Sequence, residues 1–146
     1  MPLILVPPLG VSTETFDLMP QRSRVRYMVA AGFKVYLVDW DKPKKEHGHL
    51  NLKDYSYSML GTALEKVRAH SGSEELSLMG WCPGGLLCLL HQGQVQDKRI
   101  RNIVTVASPI DLESGSGLVA ARLSLPSWVT TLVFKMTDPI GSVTSP

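Results

Sequence analysis

The sequence predicts an α/β protein built on a parallel sheet of about four strands in the spatial order 2-1-3-4, with helices on both faces. Three observations carry this. Short apolar runs of strand length alternate with longer stretches of helical periodicity, the βαβ rhythm of parallel strands joined by right-handed crossovers. The first run, residues 3–6 (Leu-Ile-Leu-Val), is apolar throughout, as a strand covered on both faces must be. Gly80, Cys82 and Gly84 stand at alternate positions where the third apolar run gives way to a helical one, a spacing that marks a sharp strand-to-helix turn. Composition agrees: 44% of the 146 residues are hydrophobic and 19% charged, which excludes a disordered chain and gives one domain with enough length to bury a core.

In chain order, residues 3–6 are the first strand, and Pro7-Pro8 stop it because proline adds no N–H to a ladder. Residues 22–31 read as a helix with Val25, Met28 and Val29 on one face and Gly32 as its stop. Residues 33–38 are the second strand. Asp39-Trp40-Asp41 leave its C-terminal end, and residues 42–49 are a charged loop. Asn51 caps the next helix, in which Leu60, Ala63, Leu64 and Val67 form the apolar stripe before Gly72 ends it. The third strand runs from Leu76 into Gly80, a buried helix covers 86–90, and residues 103–107 are the fourth strand. After a loop at 108–117, residues 118–123 and 127–136 read as short apolar helices, the second entered through Pro126 and stopped by Asp138-Pro139.

The turn at Cys82 has the form of a nucleophile elbow with sulfur in place of a hydroxyl. Gly80, Gly84 and Gly85 let strand and helix approach closely enough to lift the side chain above the sheet. A helix N-terminus behind the sulfur favours negative charge there. Cys88, mid-helix among leucines, reads as core. With strand order 2-1-3-4 the switch point falls between strands one and three, so the loops at 7–11 and 81–84 border the crevice where open α/β sheets bind ligands. Trp40 and Trp81 flank that crevice, either as walls of a substrate channel or as buried aromatics at strand ends.

Other chemistries find little support. A net charge of +2 is too small to argue for nucleic acid or a membrane surface, and no apolar run approaches the roughly 20 residues that span a bilayer. Two cysteines six positions apart, one claimed by the elbow, build no disulfide framework, so a cytoplasmic protein is expected. His47-Gly48-His49 with Asp39 and Asp41 lacks a fixed ligand spacing, so no metal is expected. Lys42, Lys44 and Lys45, mixed with Asp41 and Glu46, read as a solvated loop, with steering of a phosphate-bearing substrate as the sharper alternative. His47, His49, His70 and His91 read as solvated or capping residues. Asp111 reads as a turn residue, or as a substitute acid.

Five stretches in order, Leu5-Val6-Pro7-Pro8, Ser23-Arg24-Val25-Arg26-Tyr27, residues 32–40 (GFKVYLVDW), residues 80–85 (GWCPGG) and Arg101-Asn102-Ile103-Val104-Thr105, resemble the poly(3-hydroxyalkanoate) synthase family. The resemblance covers nearly the whole chain. It implies a partial α/β-hydrolase fold, with 1–107 as the sheet core and 108–146 as the start of the lid of a single truncated domain. It also implies transfer of (R)-3-hydroxyacyl groups from coenzyme A thioesters to a growing polyester through a cysteine that matches Cys82, with no cofactor. A thiolate exchanges one thioester for another at nearly equal energy and keeps the acyl group activated, whereas serine would lower it to an ester at once. The family's aspartate and histidine lie beyond the strand matching 103–107 and have no counterpart here. Pro83 offers no N–H where the residue after the nucleophile donates to the oxyanion, which leaves Leu9 or Gly10 as the backbone donor. Little or no turnover is therefore expected of these residues alone. Two further readings stay open: a thiol esterase or thioesterase, and a non-catalytic remnant that associates, as a homodimer or with a partner, through the apolar edge of the fourth strand.

Overall fold

Five consecutive buried residues make β1, Pro2–Val6, the centre of the sheet. The computed structural model describes residues 1–41 and 44–111. β1 pairs in parallel with β2, Lys34–Leu37, on one side and with β3, Leu76–Trp81, on the other. β4, Ile100–Val106, pairs in parallel with β3, which completes the order β2-β1-β3-β4 expected from the sequence.

Alternation along β1 builds two cores. Ile4 and Val6 face Leu60, Leu64, Leu78 and Cys88, while Leu3 and Leu5 face Phe16, Val25, Met28 and Trp81. The first face is covered by α2, Leu60–Ser71, and α3, Pro83–Val95; the second by α1, Arg24–Ala30, and the 3₁₀ turn Thr13–Phe16. A fully buried aliphatic such as Ile4 or Leu78 contributes about 2 kcal/mol by leaving water, so the two clusters carry much of the stability.

Three local outcomes differ from expectation. α1 starts two residues late because Pro20–Arg22 form a 3₁₀ turn and Ser23 takes the cap, its Oγ accepting the Arg26 N–H at 2.9 Å. Val25 and Met28, three apart, face the core, and Val29 turns away and is 53% exposed. β4 starts at Ile100 rather than 103, because an irregularity beside Leu76 lets Arg101 stand outside the pairing before Asn102 meets Ser77. Asn102 Nδ2 then donates to Ser77 Oγ at 3.1 Å, so a buried hydroxyl is satisfied by the residue that made this stretch look polar.

The third outcome precedes α2. Asn51 Oδ1 accepts the N–H groups of Lys53 and Asp54, and Asp54 Oδ2 accepts that of Asn51, a reciprocal cap. The helix it opens is wound as a π-helix over Asp54–Met59 before α2 continues it to Gly72, whose φ of 69 closes the last turn. His91 on α3 is the cause we assign. It is buried, not solvated or capping as its sequence position suggests, and its Nδ1 donates to the Ser56 carbonyl at 2.7 Å. A carbonyl only accepts, so the proton is on Nδ1, and the Ser56 oxygen is drawn from its own helix toward α3.

By their contacts the residues form two units, Met1–Pro43 with His49–Ser108, and Lys44–Gly48 with Pro109–Pro146. The sheet, its helices and both cores belong to the first. In the second, the Lys44 N–H donates to His47 Nδ1 at 3.3 Å. Lys42, the loop at 112–117 and the helices expected at 118–123 and 127–136 lie outside the described residues. Among the described residues, no helix is long and apolar enough to cross a membrane.

Candidate active site

Cys82 is the single residue between β3 and α3, with φ 53 and ψ −127. A residue with a Cβ held there carries on the order of 1–3 kcal/mol of strain, and proline at the next position adds to it by favouring extended ψ values that Cys82 does not adopt. Proline itself fits the first helical position. Two main-chain bonds hold the turn: the Cys82 N–H donates to the Val106 carbonyl at 2.7 Å, and the Gly85 N–H donates to the Cys82 carbonyl at 3.0 Å.

The flanking glycines are required by space. A Cβ on Gly80 would fall within 3.0 Å of Gly84 and Gly85 backbone atoms, one on Gly84 would meet the Val6 and Pro7 carbonyls, and one on Gly85 would meet Ser108 Oγ. The elbow is therefore wedged between the end of β1, the start of α3 and the end of β4. Ser108 Oγ is buried there and has no hydrogen-bond partner among the described residues.

The two thiols differ sharply. Cys82 is half-buried at the turn. Cys88 is fully buried in the first core, and burial pushes its thiol up to about 12, with a backbone hydrogen bond pulling weakly the other way.

Around the elbow, the loop after β1 carries Leu9 and Gly10, the two backbone donors expected from the sequence. Gly10 has φ 75, a left-handed turn that glycine adopts without penalty. The Pro7 carbonyl at the start of this loop accepts the Trp40 Nε1–H at 3.0 Å. Trp40 thus tethers the loop from the α2 side of the sheet, with its ring edge-on to Tyr55 at 5.7 Å. Trp81 packs on the opposite face, edge-on to Phe16 at 6.1 Å, and the Arg24 guanidinium carbon lies 3.5 Å above its ring. The two tryptophans proposed as one channel are thus set on different faces of the sheet.

Two of the four histidines have partners away from the elbow: His91 with Ser56, and His70 Nδ1 with the Tyr36 hydroxyl at 3.1 Å. Asp39 Oδ1 accepts the Asp41 N–H at 3.0 Å, closing a local turn. Asp111 belongs to the second unit. Among the described residues no group of three or more His, Cys, Asp or Glu is placed to hold a metal. Sequence reading missed the Val106 carbonyl, the Trp40–Pro7 tether and the Arg24–Trp81 stack. Each joins residues far apart in the chain, and no spacing rule points to them.

A family profile described as alpha/beta hydrolase fold matches residues 14–137. Poly(3-hydroxyalkanoate) polymerase subunit PhaC of Haloferax mediterranei is 29% identical over 148 residues, covering 99% of this chain and 29% of that protein. The PhaC subunit of Allochromatium vinosum is 31% identical over 144 residues, covering 98% and 39%, and poly(3-hydroxyalkanoate) polymerase 2 of Ectopseudomonas oleovorans is 36% identical over 125 residues, covering 82% and 22%. The chain thus spans at most 39% of the length of these three relatives. Among solved structures, a mature Bacillus licheniformis lipase matches with a TM-score of 0.63 at 16% identity, covering 90% of this chain and 49% of that one. A Paleococcus ferrophilus monoacylglycerol lipase matches at 0.60 and 22%, covering 96% and 47%. At these identities the lipases share the fold.

Proposed function

The chain belongs to the α/β hydrolase fold family, and from that premise we propose that it is part of an acyltransferase of the poly(3-hydroxyalkanoate) polymerase type, with Cys82 as nucleophile. The observation that carries the reading is the strained conformation of Cys82 between β3 and α3, in a sequence similar along nearly its whole length to such polymerases. In the step proposed, the Cys82 thiolate attacks the carbonyl of an (R)-3-hydroxyacyl coenzyme A. A new bond forms between the acyl carbon and Sγ, the bond to the coenzyme A sulfur breaks, and the departing thiolate takes a proton from water. The acyl group remains a thioester, ready for attack by the hydroxyl of a growing polyester. Both cysteines are free thiols, in keeping with a cytoplasmic setting.

We also propose that these residues turn over slowly by themselves. Losing one oxyanion donor to Pro83 costs about 3 kcal/mol, a factor of about 10² to 10³ in rate, and the partners of His70 and His91 leave neither engaged at the elbow. The test is therefore the acyl-enzyme rather than turnover. Incubation with (R)-3-hydroxybutyryl coenzyme A is expected to add one hydroxyacyl group to Cys82, read by intact and peptide mass spectrometry and lost in Cys82→Ala. Release of free acid in place of oligomer would assign a thiol esterase instead. Absence of any adduct on a Cys82 that still reacts with iodoacetamide would end the acyl-transfer reading.

A further inference from the structure

Arg22, Arg24 and Arg26 line a surface cavity of about 590 Å³, with Pro20, Ser23 and Met79 among its other walls. Each guanidinium carries a permanent charge and five N–H donors in a planar fork. Elsewhere among the described residues the arginines pair with acids: Arg68 with Asp97 and Glu65, Arg99 with Asp97, Glu65 and Glu74, and Arg101 with Glu75. The three at the cavity make no ion pair among the described residues. Asp17 faces Ser23 in an isolated antiparallel bridge and forms no ion pair with them among the described residues.

One of the three is held in place. The Arg24 guanidinium carbon lies over the Trp81 ring, 3.5 Å from its centre, and Phe16 meets that ring edge-on. A guanidinium stacked in this way keeps its in-plane N–H groups for a ligand. Like charges that line one cavity without acids repel one another and are relieved by an anion, and three arginines supply more N–H donors than a single carboxylate can occupy.

We propose that this cavity is a binding site for a multiply charged phosphate group, held by Arg22, Arg24 and Arg26. Its place in the fold is informative. Trp81, on which Arg24 rests, is joined by one peptide bond to Cys82, so a phosphate bound there lies against the strand end that presents the sulfur. Two sources share this chemistry: free pyrophosphate, and the nucleotide end of an acyl coenzyme A. The second rests on the acyl-transfer reading; the site itself does not.

Isothermal titration calorimetry on the 146-residue chain separates these, with inorganic pyrophosphate, coenzyme A, phosphate-free pantetheine and sulfate as probes. Pyrophosphate is expected to bind, sulfate at least tenfold more weakly, and pantetheine not at all, with affinity falling as sodium chloride is raised. Arg22→Gln, Arg24→Gln and Arg26→Gln should each weaken pyrophosphate about tenfold, the loss of one charge-assisted contact. Tighter binding of coenzyme A than of pyrophosphate assigns the nucleotide source; equal or weaker binding assigns free phosphate. Circular dichroism of each variant guards against loss of fold. A folded chain that takes up neither pyrophosphate nor coenzyme A overturns the site, as does an unchanged affinity in the triple variant, or sulfate binding as tightly as pyrophosphate. The Cys82 adduct, measured on the same triple variant, tells failure of the site from failure of the acyl-transfer reading.

Discussion

At Cys82 the chain maintains a backbone state that a side chain opposes, and the neighbours that enforce it are main-chain atoms with no room to yield. Gly84 shows this most directly, since a methyl added there would meet the Val6 and Pro7 carbonyls. Gly84→Ala should cost about 2 kcal/mol or more, as overpacking against rigid backbone does, and should slow alkylation of Cys82 by distorting the turn. Urea denaturation and iodoacetamide labelling read the two effects, and a variant as stable and as reactive as the parent would remove the wedge described here. The two thiols give a second expectation. With Cys88 pushed up to about 12 by burial, its thiolate fraction at pH 8 is about three orders of magnitude below that of an ordinary cysteine. Iodoacetamide should therefore label Cys82 first and Cys88 only on unfolding; equally slow labelling of both in the native chain would contradict a half-buried, reachable sulfur at the elbow. The spacing of Gly80, Cys82 and Gly84 is local, so this turn was legible in the sequence. The Trp40–Pro7 and His91–Ser56 bonds were not, because each depends on where the finished sheet brings two distant segments together.

Among the elements, the junction of α2, α3 and β4 is held by charge. Arg68 is almost fully buried, with its guanidinium 2.8 Å from Asp97 and 2.7 Å from Glu65, and its Nε donates to the Glu74 carbonyl at 2.9 Å. Burial alone would raise the Asp97 carboxyl, but hydrogen bonds from Arg99 and the charge and hydrogen bond of Arg68 outweigh it and lower it from 3.8 to about 2. The folded value lies below the unfolded one, so this contribution is fully present above about pH 4 and is lost as pH falls through about 2. Asp97→Asn should lower stability at pH 7 by about 1–2 kcal/mol, leaving a buried cation with one acid fewer, and should flatten the loss of stability between pH 4 and 2. Denaturant midpoints across that range check it, and a parent and variant with parallel acid limbs would refute the coupling. Legibility here was partial. Hydrophobic periodicity placed each helix and strand of the sheet unit, but the start of α1 moved where the Ser23 hydroxyl took over a main-chain partner, and the start of β4 moved where the pairing shifts beside Leu76. The π-helical turn at Asp54–Met59 had no local sequence cue, because the residue that draws it out lies on another helix.

At the scale of the molecule, the strand order was legible because a continuously apolar first strand belongs in the middle and short crossovers leave few other arrangements. Within the described sheet β4 is an edge, and Val104 on it is 47% exposed. We propose that this edge pairs with a strand of another chain, as exposed apolar edges do. A dimer or larger species in size-exclusion chromatography, shifted toward monomer by Val104→Lys, is the expected outcome; a monomer at all concentrations would discard it. The main-chain bond from Cys82 to Val106 gives that edge a second importance. It runs the zipper between β3 and β4 one rung past β3, onto the sulfur-bearing residue itself, so the reactive atom is latched to an edge strand of the described sheet. Whatever clamps or frees that ribbon should quieten or loosen the thiol, making its chemistry a gauge of how firmly the outermost strand is fastened.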